Sequence, residues 1–201
     1  MYNWRNMTDE QREYVLAQRK LAQHPWHSPP HRTKPNHNRI HIVGSCYEHK
    51  HIIGASPKRM LDFEQQLRDL FSENDQIFAW CILSNHWHVL VKTNNISDLL
   101  FRIGQFLGRI SHLWNQEESL QGRKVWYNCF DRPVKSEKHF WATVNYIHHN
   151  PVHHGYTKKW QQWPFSSAVD FIEKLGEDKA KNIWSRYDIS TIGQSWDPPE
   201  L

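Results

Sequence analysis

The stretch QIFAWCILSNHWHVLVKT, residues 76–93, constrains the fold more than any other part of the chain. Apolar residues fill both halves, and Ser84-Asn85 separates them. The pattern reads as two strands joined by a tight hairpin. A hairpin this apolar needs cover, so more strands and helices must pack on it. Side chains alternate along a strand with a period of two. His86, His88 and Leu90 therefore share one side, and Trp87, Val89 and Val91 share the other. Two imidazoles side by side in an otherwise buried strand call for a reason.

The flanking segments supply the cover. Residues 39–47, RIHIVGSCY, alternate as a strand does. Residues 56–74 open with Ser56 as N-cap and Pro57 at the first helical position. Met60, Phe63, Leu67 and Leu70 then recur at helical spacing. Residues 97–115 form a second amphipathic helix. Leu99, Ile103, Phe106, Ile110 and Leu113 lie on one of its faces, and Arg102, Gln105, Arg109 and His112 on the other. KVWYNCFD, residues 124–131, reads as a strand. SEKHFWATVNYIHHN, residues 136–150, reads as a helix capped by Ser136 and stopped by Pro151. This order predicts an α+β sandwich, an antiparallel sheet covered by helices, with the His86/His88 strand central. A short polar helix over 8–23, with Thr8 as N-cap, and a proline-rich arm over 24–38 precede it. The chain thus divides into the helix and arm of 1–38, a compact domain over 39–170 and a C-terminal tail over 171–201.

Composition narrows the functional classes. The chain has 201 residues, enough for one domain with its own core. Its 25 Lys+Arg against 21 Asp+Glu leave a net charge of +4. That charge admits an acidic partner such as nucleic acid without demanding one. Cys46, Cys81 and Cys129 are scattered and form no C-x-x-C pair, which argues against a disulfide framework or a cysteine zinc site and fits a reducing cytoplasm. No apolar run approaches the ~18 residues of a spanning helix, and the N-terminus has no signal-peptide core. The expectation is a cytoplasmic protein with no membrane partner. No Gly-rich run leads into Lys-Ser/Thr, so ATP is not implied.

With 15 histidines in the chain, an isolated H-x-H arises easily by chance. Its plain reading is two half-buried residues. Its sharper reading is a pair of cis ligands for a divalent ion, which needs a third donor from elsewhere. The helix over 136–150 offers one. Tyr146 and Asn150 are four apart and share a face. Asn150 can give an amide oxygen to a hard cation, although Asn before Pro also suits a helix end. A nucleophilic hydroxyl, a metal-competent amide and an H-x-H strand together are the parts that phosphodiester chemistry needs.

Three stretches, in this order, resemble a known family. They are SNHWHVLV (84–91), FDRPVKSEKHFWATVNYIHHNPVHHG (130–155) and WPFSSA (163–168). They are similar to the His-hydrophobic-His motif, the tyrosine helix with its Asn-Pro-Val turn, and the Trp-x-x-Ser-Ser-Ala signature of the HUH single-tyrosine transposases. Within that superfamily the likeness is to the REP-associated tyrosine transposases, or IS200-like group, and it runs from about Arg39 to about Ala168. The chain departs from the family after Asn-Pro-Val, where His153-His154 replaces the usual basic residue.

The resemblance implies a ferredoxin-like or RRM-like fold and a single-stranded DNA endonuclease and strand transferase that acts on hairpin-containing DNA. It implies His86, His88 and Asn150 as ligands of Mg²⁺ or Mn²⁺, and Tyr146 as the nucleophile forming a 5′-phosphotyrosine. The ligand set alone would also admit zinc. Arg102, Arg109, Arg132, Lys135 and His153 are candidate DNA contacts, with Gly104 and Gly108 allowing close backbone approach. One or two of the 11 tryptophans are expected to stack on bases. Two other readings stay open: a non-catalytic RRM-like nucleic-acid binder, and an H-x-H metal-dependent phosphoesterase that uses water. Neither the DNA sequence recognised nor a choice between monomer and homodimer follows from the residues.

Overall fold

The computed structural model describes residues 8–21, 38–71, 75–127, 129–189 and 192. Most of the proline-rich arm and most of the tail beyond 189 lie outside the described residues. In chain order the elements are α1 (Asp9–Leu21), β1 (Arg39–Ser45), α2 (Pro57–Asp69), β2 (Gln76–Ile82), β3 (His86–Lys92) and α3 (Ile96–Glu117). Then follow β4 (Phe130–Pro133), α4 (Glu137–His153), α5 (Ala168–Leu175) and α6 (Glu177–Arg186).

Local chemistry sets the helix starts. Thr8 and Gln11 exchange side-chain-to-backbone hydrogen bonds, a reciprocal cap for α1. Ser56 accepts from the Arg59 amide and Ser136 from the His139 amide, each at 3.1 Å. Pro57 follows Ser56 at the first helical position, where its missing N–H costs nothing.

The four strands pair antiparallel in the order β2-β3-β1-β4. Two helical crossovers with this strand order make the ferredoxin-like arrangement, and β3 is an interior strand. The crossover helices α2 and α3 cover one face. Met60, Phe63, Leu67, Leu99, Ile103, Phe106 and Ile110 pack there with Ile40, Ile42, Trp87, Val89 and Val91. Helix α4 covers the other, where Phe140, Val144, Tyr146 and Ile147 meet Val43, Ala79, Cys81 and Leu90. The period of two in β1 and β3 thus sorts residues between two unlike cores.

Gly44 sits opposite Trp87 in the β1–β3 ladder. A Cβ on Gly44 would lie 2.4 Å from the indole, so only glycine lets that ring lie flat across β1. The WPFSSA segment docks along the edge of β2. Ile82 N–H donates to the Phe165 carbonyl, Ser167 N–H to the Trp80 carbonyl, and the Trp163 indole N–H to the Ile82 carbonyl. Ser167 Oγ also accepts from the Trp80 amide.

The structure corrects four expectations. Residues 124–127 and 129 are not a continuous strand: Trp126 makes one isolated bridge to Cys46, and regular pairing begins only at Phe130. Trp126 instead stacks on Phe63 in the core, one of the tryptophans used for packing. Leu113 is 43% exposed, while Leu107 and Trp114 are buried in its place. Pro151 does not stop α4, which runs on to His153. The stop is Gly155, at φ +73°: its amide donates to Val152 O and the Tyr156 amide to Pro151 O. That pair of bonds is a Schellman closure, which asks for glycine at this position. Last, the segment read as a C-terminal tail holds most of α5, which starts before it at Ala168, and all of α6. Asn145 of α4 ties α6 down by donating to the carbonyls of Ile183 and Tyr187.

Candidate active site

The β3 face turned toward α4 holds His86 and His88, with ring centroids 5.0 Å apart and planes nearly perpendicular. Tyr146, on α4, presents its ring edge-on to His88 at 5.5 Å. Asn150, one turn further along α4, places Oδ1 3.0 Å from His86 Nε2. The four sequence-predicted site residues therefore converge. Their side chains are enclosed: Tyr146 is 3% exposed and His88 and Asn150 0%.

Hydrogen bonds orient the histidines. Asn85 donates its amide N–H to the His49 carbonyl, which turns its Oδ1 toward His86. That oxygen lies 2.7 Å from His86 Nδ1 and can only accept, as the Asn150 oxygen can only accept from Nε2, and a neutral ring satisfies one of the two. With the proton on Nδ1, the Nε2 lone pair faces the Asn150 oxygen, a pair of acceptors that a cation would suit. For a metal–ligand distance of about 2.1 Å, cis ligands of an octahedron lie about 3.0 Å apart, which matches the His86–Asn150 spacing. Among the described residues no group of three or more His, Cys, Asp or Glu is arranged to hold a metal ion. The donors gathered here are two imidazoles and an amide oxygen, which would suit a divalent ion that accepts both nitrogen and oxygen.

Two neighbours escaped the sequence reading. His41, on β1, has Nε2 3.1 Å from His88 Nδ1, and its ring lies 6.2 Å from that of Tyr146. Burial, then electrostatic repulsion from His88, Arg132 and His139, hold His41 well below the ordinary histidine range, so it is neutral near pH 7. His154 packs edge-on against His86 at 4.7 Å, and burial is the main cause that pushes its imidazole down to about 2. A signal for His41 was present, since it is a polar residue inside an apolar strand on the same parity as Val43. Tyr156, in the turn after α4, is held at both ends. Its amide bonds Pro151 O, and its hydroxyl lies 2.5 Å from Ser84 Oγ, which also bonds His51.

The candidate DNA contacts divide by location. Arg132 pairs across from His41 on β4 and shares the site face. Lys135 follows at the turn into α4, where its backbone N–H meets His139 Nδ1. His153 ends α4 beside His154. Arg102 and Arg109 belong to α3, which covers the opposite face of the sheet. Arg102 is moreover engaged by Asp75 at 2.6 Å and Asp98 at 2.8 Å. Gly104 and Gly108 lie on the same helix with open space around them. The fold thus sets Arg132 on the tyrosine's side of the sheet and keeps Arg102 and Arg109 on the other.

No helix among the described residues is long and apolar enough to cross a membrane. The chain matches no protein-family model. It is 24% identical over 148 residues to a Haemophilus influenzae protein provisionally named a REP-associated tyrosine transposase, spanning 66% of this chain and 84% of that one. It is 30% identical over 94 residues to the REP-associated tyrosine transposase of Escherichia coli, spanning 46% of this chain and 53% of that one. In fold it is similar to the solved structure of a REP-associated tyrosine transposase bound to a REP hairpin. The TM-score is 0.55 at 17% identity, over 87% of this chain and 99% of that one. In sequence motifs and in fold, the chain is thus similar to proteins named REP-associated tyrosine transposases.

Proposed function

We propose that the protein is a transposase-type enzyme, a metal-dependent single-stranded DNA endonuclease and strand transferase that uses Tyr146 to form a 5′-phosphotyrosine on hairpin-containing DNA. The observation that carries this reading is the enclosed placement of Tyr146 against His88, one helical turn from an amide oxygen 3.0 Å from His86. In the proposed step, the Tyr146 oxygen forms a bond to phosphorus as the bond from phosphorus to the 3′-oxygen breaks. The phenolic proton is lost and the departing 3′-oxygen gains one. The phosphodiester is exchanged rather than hydrolysed, so a later 3′-hydroxyl can reverse the step. A divalent ion bound by His86, His88 and Asn150 supplies charge stabilisation for the phosphoryl oxygens. The protein orients the reactants: α4 fixes the phenol, and β3 fixes the imidazoles, so little freedom remains to be lost on the way to reaction. Arg132, on the site face of β4, would hold an adjoining phosphate, and Lys135 one further along the strand.

The fold weighs against the RRM-like binder. That mode uses an open sheet face with aromatic side chains for bases, and here α4 covers the face opposite the crossover helices. The water-using phosphoesterase is separated by experiment. Incubation with single-stranded hairpins and Mn²⁺ should yield a protein–DNA adduct that survives a denaturing gel, with the nucleotide mapped to Tyr146 by mass spectrometry. Tyr146→Phe should remove the adduct entirely and keep the fold. Cleavage without an adduct would favour the hydrolase. His86→Ala and His88→Ala should each weaken Mn²⁺ binding in calorimetry, and unchanged affinity in both would remove the metal from the reading.

A further inference from the structure

We propose that His41 is a positioning residue that fixes the tautomer and ring orientation of His88. This inference rests on the metal-site reading above. The argument starts from register. In the β1–β3 ladder His88 lies opposite Val43, so His41 is its diagonal neighbour on the same face. Diagonal pairs are within reach of long side chains, and here two ring nitrogens meet at 3.1 Å. One of the two must donate and the other accept. If His88 donates from Nδ1, its Nε2 keeps a lone pair, the form a ligand requires. If His41 donates, His88 carries its proton on Nε2 and is blocked as a ligand. The neighbouring histidine offers a parallel: its Nδ1 lies against an Asn85 oxygen that can only accept. The Nδ1 atom of each ring of the pair thus meets a side chain from a neighbouring position.

A partner of this kind has a defined chemical effect. It raises the basicity of the ligating nitrogen and removes the need to select a ring orientation on binding. His41 also lies 6.2 Å from the Tyr146 ring, so it separates the ligand pair from the edge strand β4. Its burial keeps water from competing for the His88 proton.

The test compares the parent with His41→Gln and His41→Phe. Glutamine keeps an acceptor oxygen and phenylalanine keeps only the volume. Nitrogen-15 NMR of the metal-free proteins reports which ring nitrogen of His88 carries hydrogen, and calorimetry with Mn²⁺ reports affinity. The parent and His41→Gln should show the proton on Nδ1. His41→Phe should lose that preference and bind Mn²⁺ about 10- to 100-fold more weakly, the usual cost of removing such a partner. A parent whose His88 carries its proton on Nε2 would overturn the inference. So would a folded His41→Phe variant with unchanged affinity and tautomer. If the parent binds no Mn²⁺ at all, the metal reading fails, while the NMR result still decides the role of His41.

Discussion

The two faces of β3 are built from one heptapeptide, HWHVLVK, yet they differ in kind. One face sets Trp87, Val89 and Val91 against α2 and α3 in a core of hydrocarbon and indole. The other sets His86 and His88 against α4, where polar atoms must be matched one by one. Both faces are buried. The difference teaches that burial alone does not mark a site. On the α2/α3 face the free energy comes from area, which is nondirectional and tolerant of small shifts. On the α4 face each buried imidazole must find a donor or acceptor or lose on the order of 1–3 kcal/mol. A face of that second sort is where the proposed chemistry would reside.

Exchanging damage between the faces should break or sharpen this contrast. The largest effect belongs to Trp87→Ala. It empties the indole space over Gly44 and should cost about 3–5 kcal/mol in urea unfolding, while Mn²⁺ affinity per folded molecule stays at the parent's value. Next comes a pH effect from His148, on α4. Burial lowers its imidazole to about 3, so the folded chain keeps it neutral while the unfolded chain takes up a proton below the ordinary 6.5. The stabilisation is therefore complete above about pH 6.5 and is lost as pH falls toward 3. Between pH 6.5 and pH 5 His148 should remove roughly 2 kcal/mol. His148→Phe should flatten that part of the stability profile, and an unaltered slope would show that the acid sensitivity lies elsewhere. Asn150→Ala is the counterpart on the α4 face. It should weaken Mn²⁺ binding and adduct formation yet lower stability by only about 1 kcal/mol. The smallest effect separates the arginines. Arg132→Ala should weaken binding to hairpin DNA and reduce the salt slope by about one. Arg102→Ala, on the far side, should leave the slope alone.

Legibility followed the range of the physics. Ser56-Pro57 and Ser136 announce their helices because a cap is decided within four residues. The shared face of His86 and His88 follows from strand parity, and that of Tyr146 and Asn150 from helical spacing. What could not be read was set across strands or across turns. His41 meets His88 only through the β1–β3 register, which no local pattern states. Asn85 reads as a turn residue, and its orienting role depends on a carbonyl 36 residues away. Pro151 looks like a terminator, but near the end of α4 the turn chemistry of Gly155 decides where the helix stops. Arg102 has helical amphipathicity suited to DNA, yet the fold places α3 over the wrong face and supplies Asp75 and Asp98.

The strip Trp163–Ala168 laid along β2 has a consequence for how the protein keeps company with its own copies. A bare outer strand is an invitation to a neighbouring molecule, since its amides and carbonyls can template another strand. Here Phe165 and Ser167 answer the amides and carbonyls of Trp80 and Ile82 from within the same chain. The opposite border, β4, is four residues long and ends in Pro133, which has no amide hydrogen to offer, while Asp131 and Arg132 bring charge. The sheet is thereby covered over Trp80–Ile82 on one side and curtailed on the other. Copies of such a chain can crowd together with less tendency for one sheet to extend another.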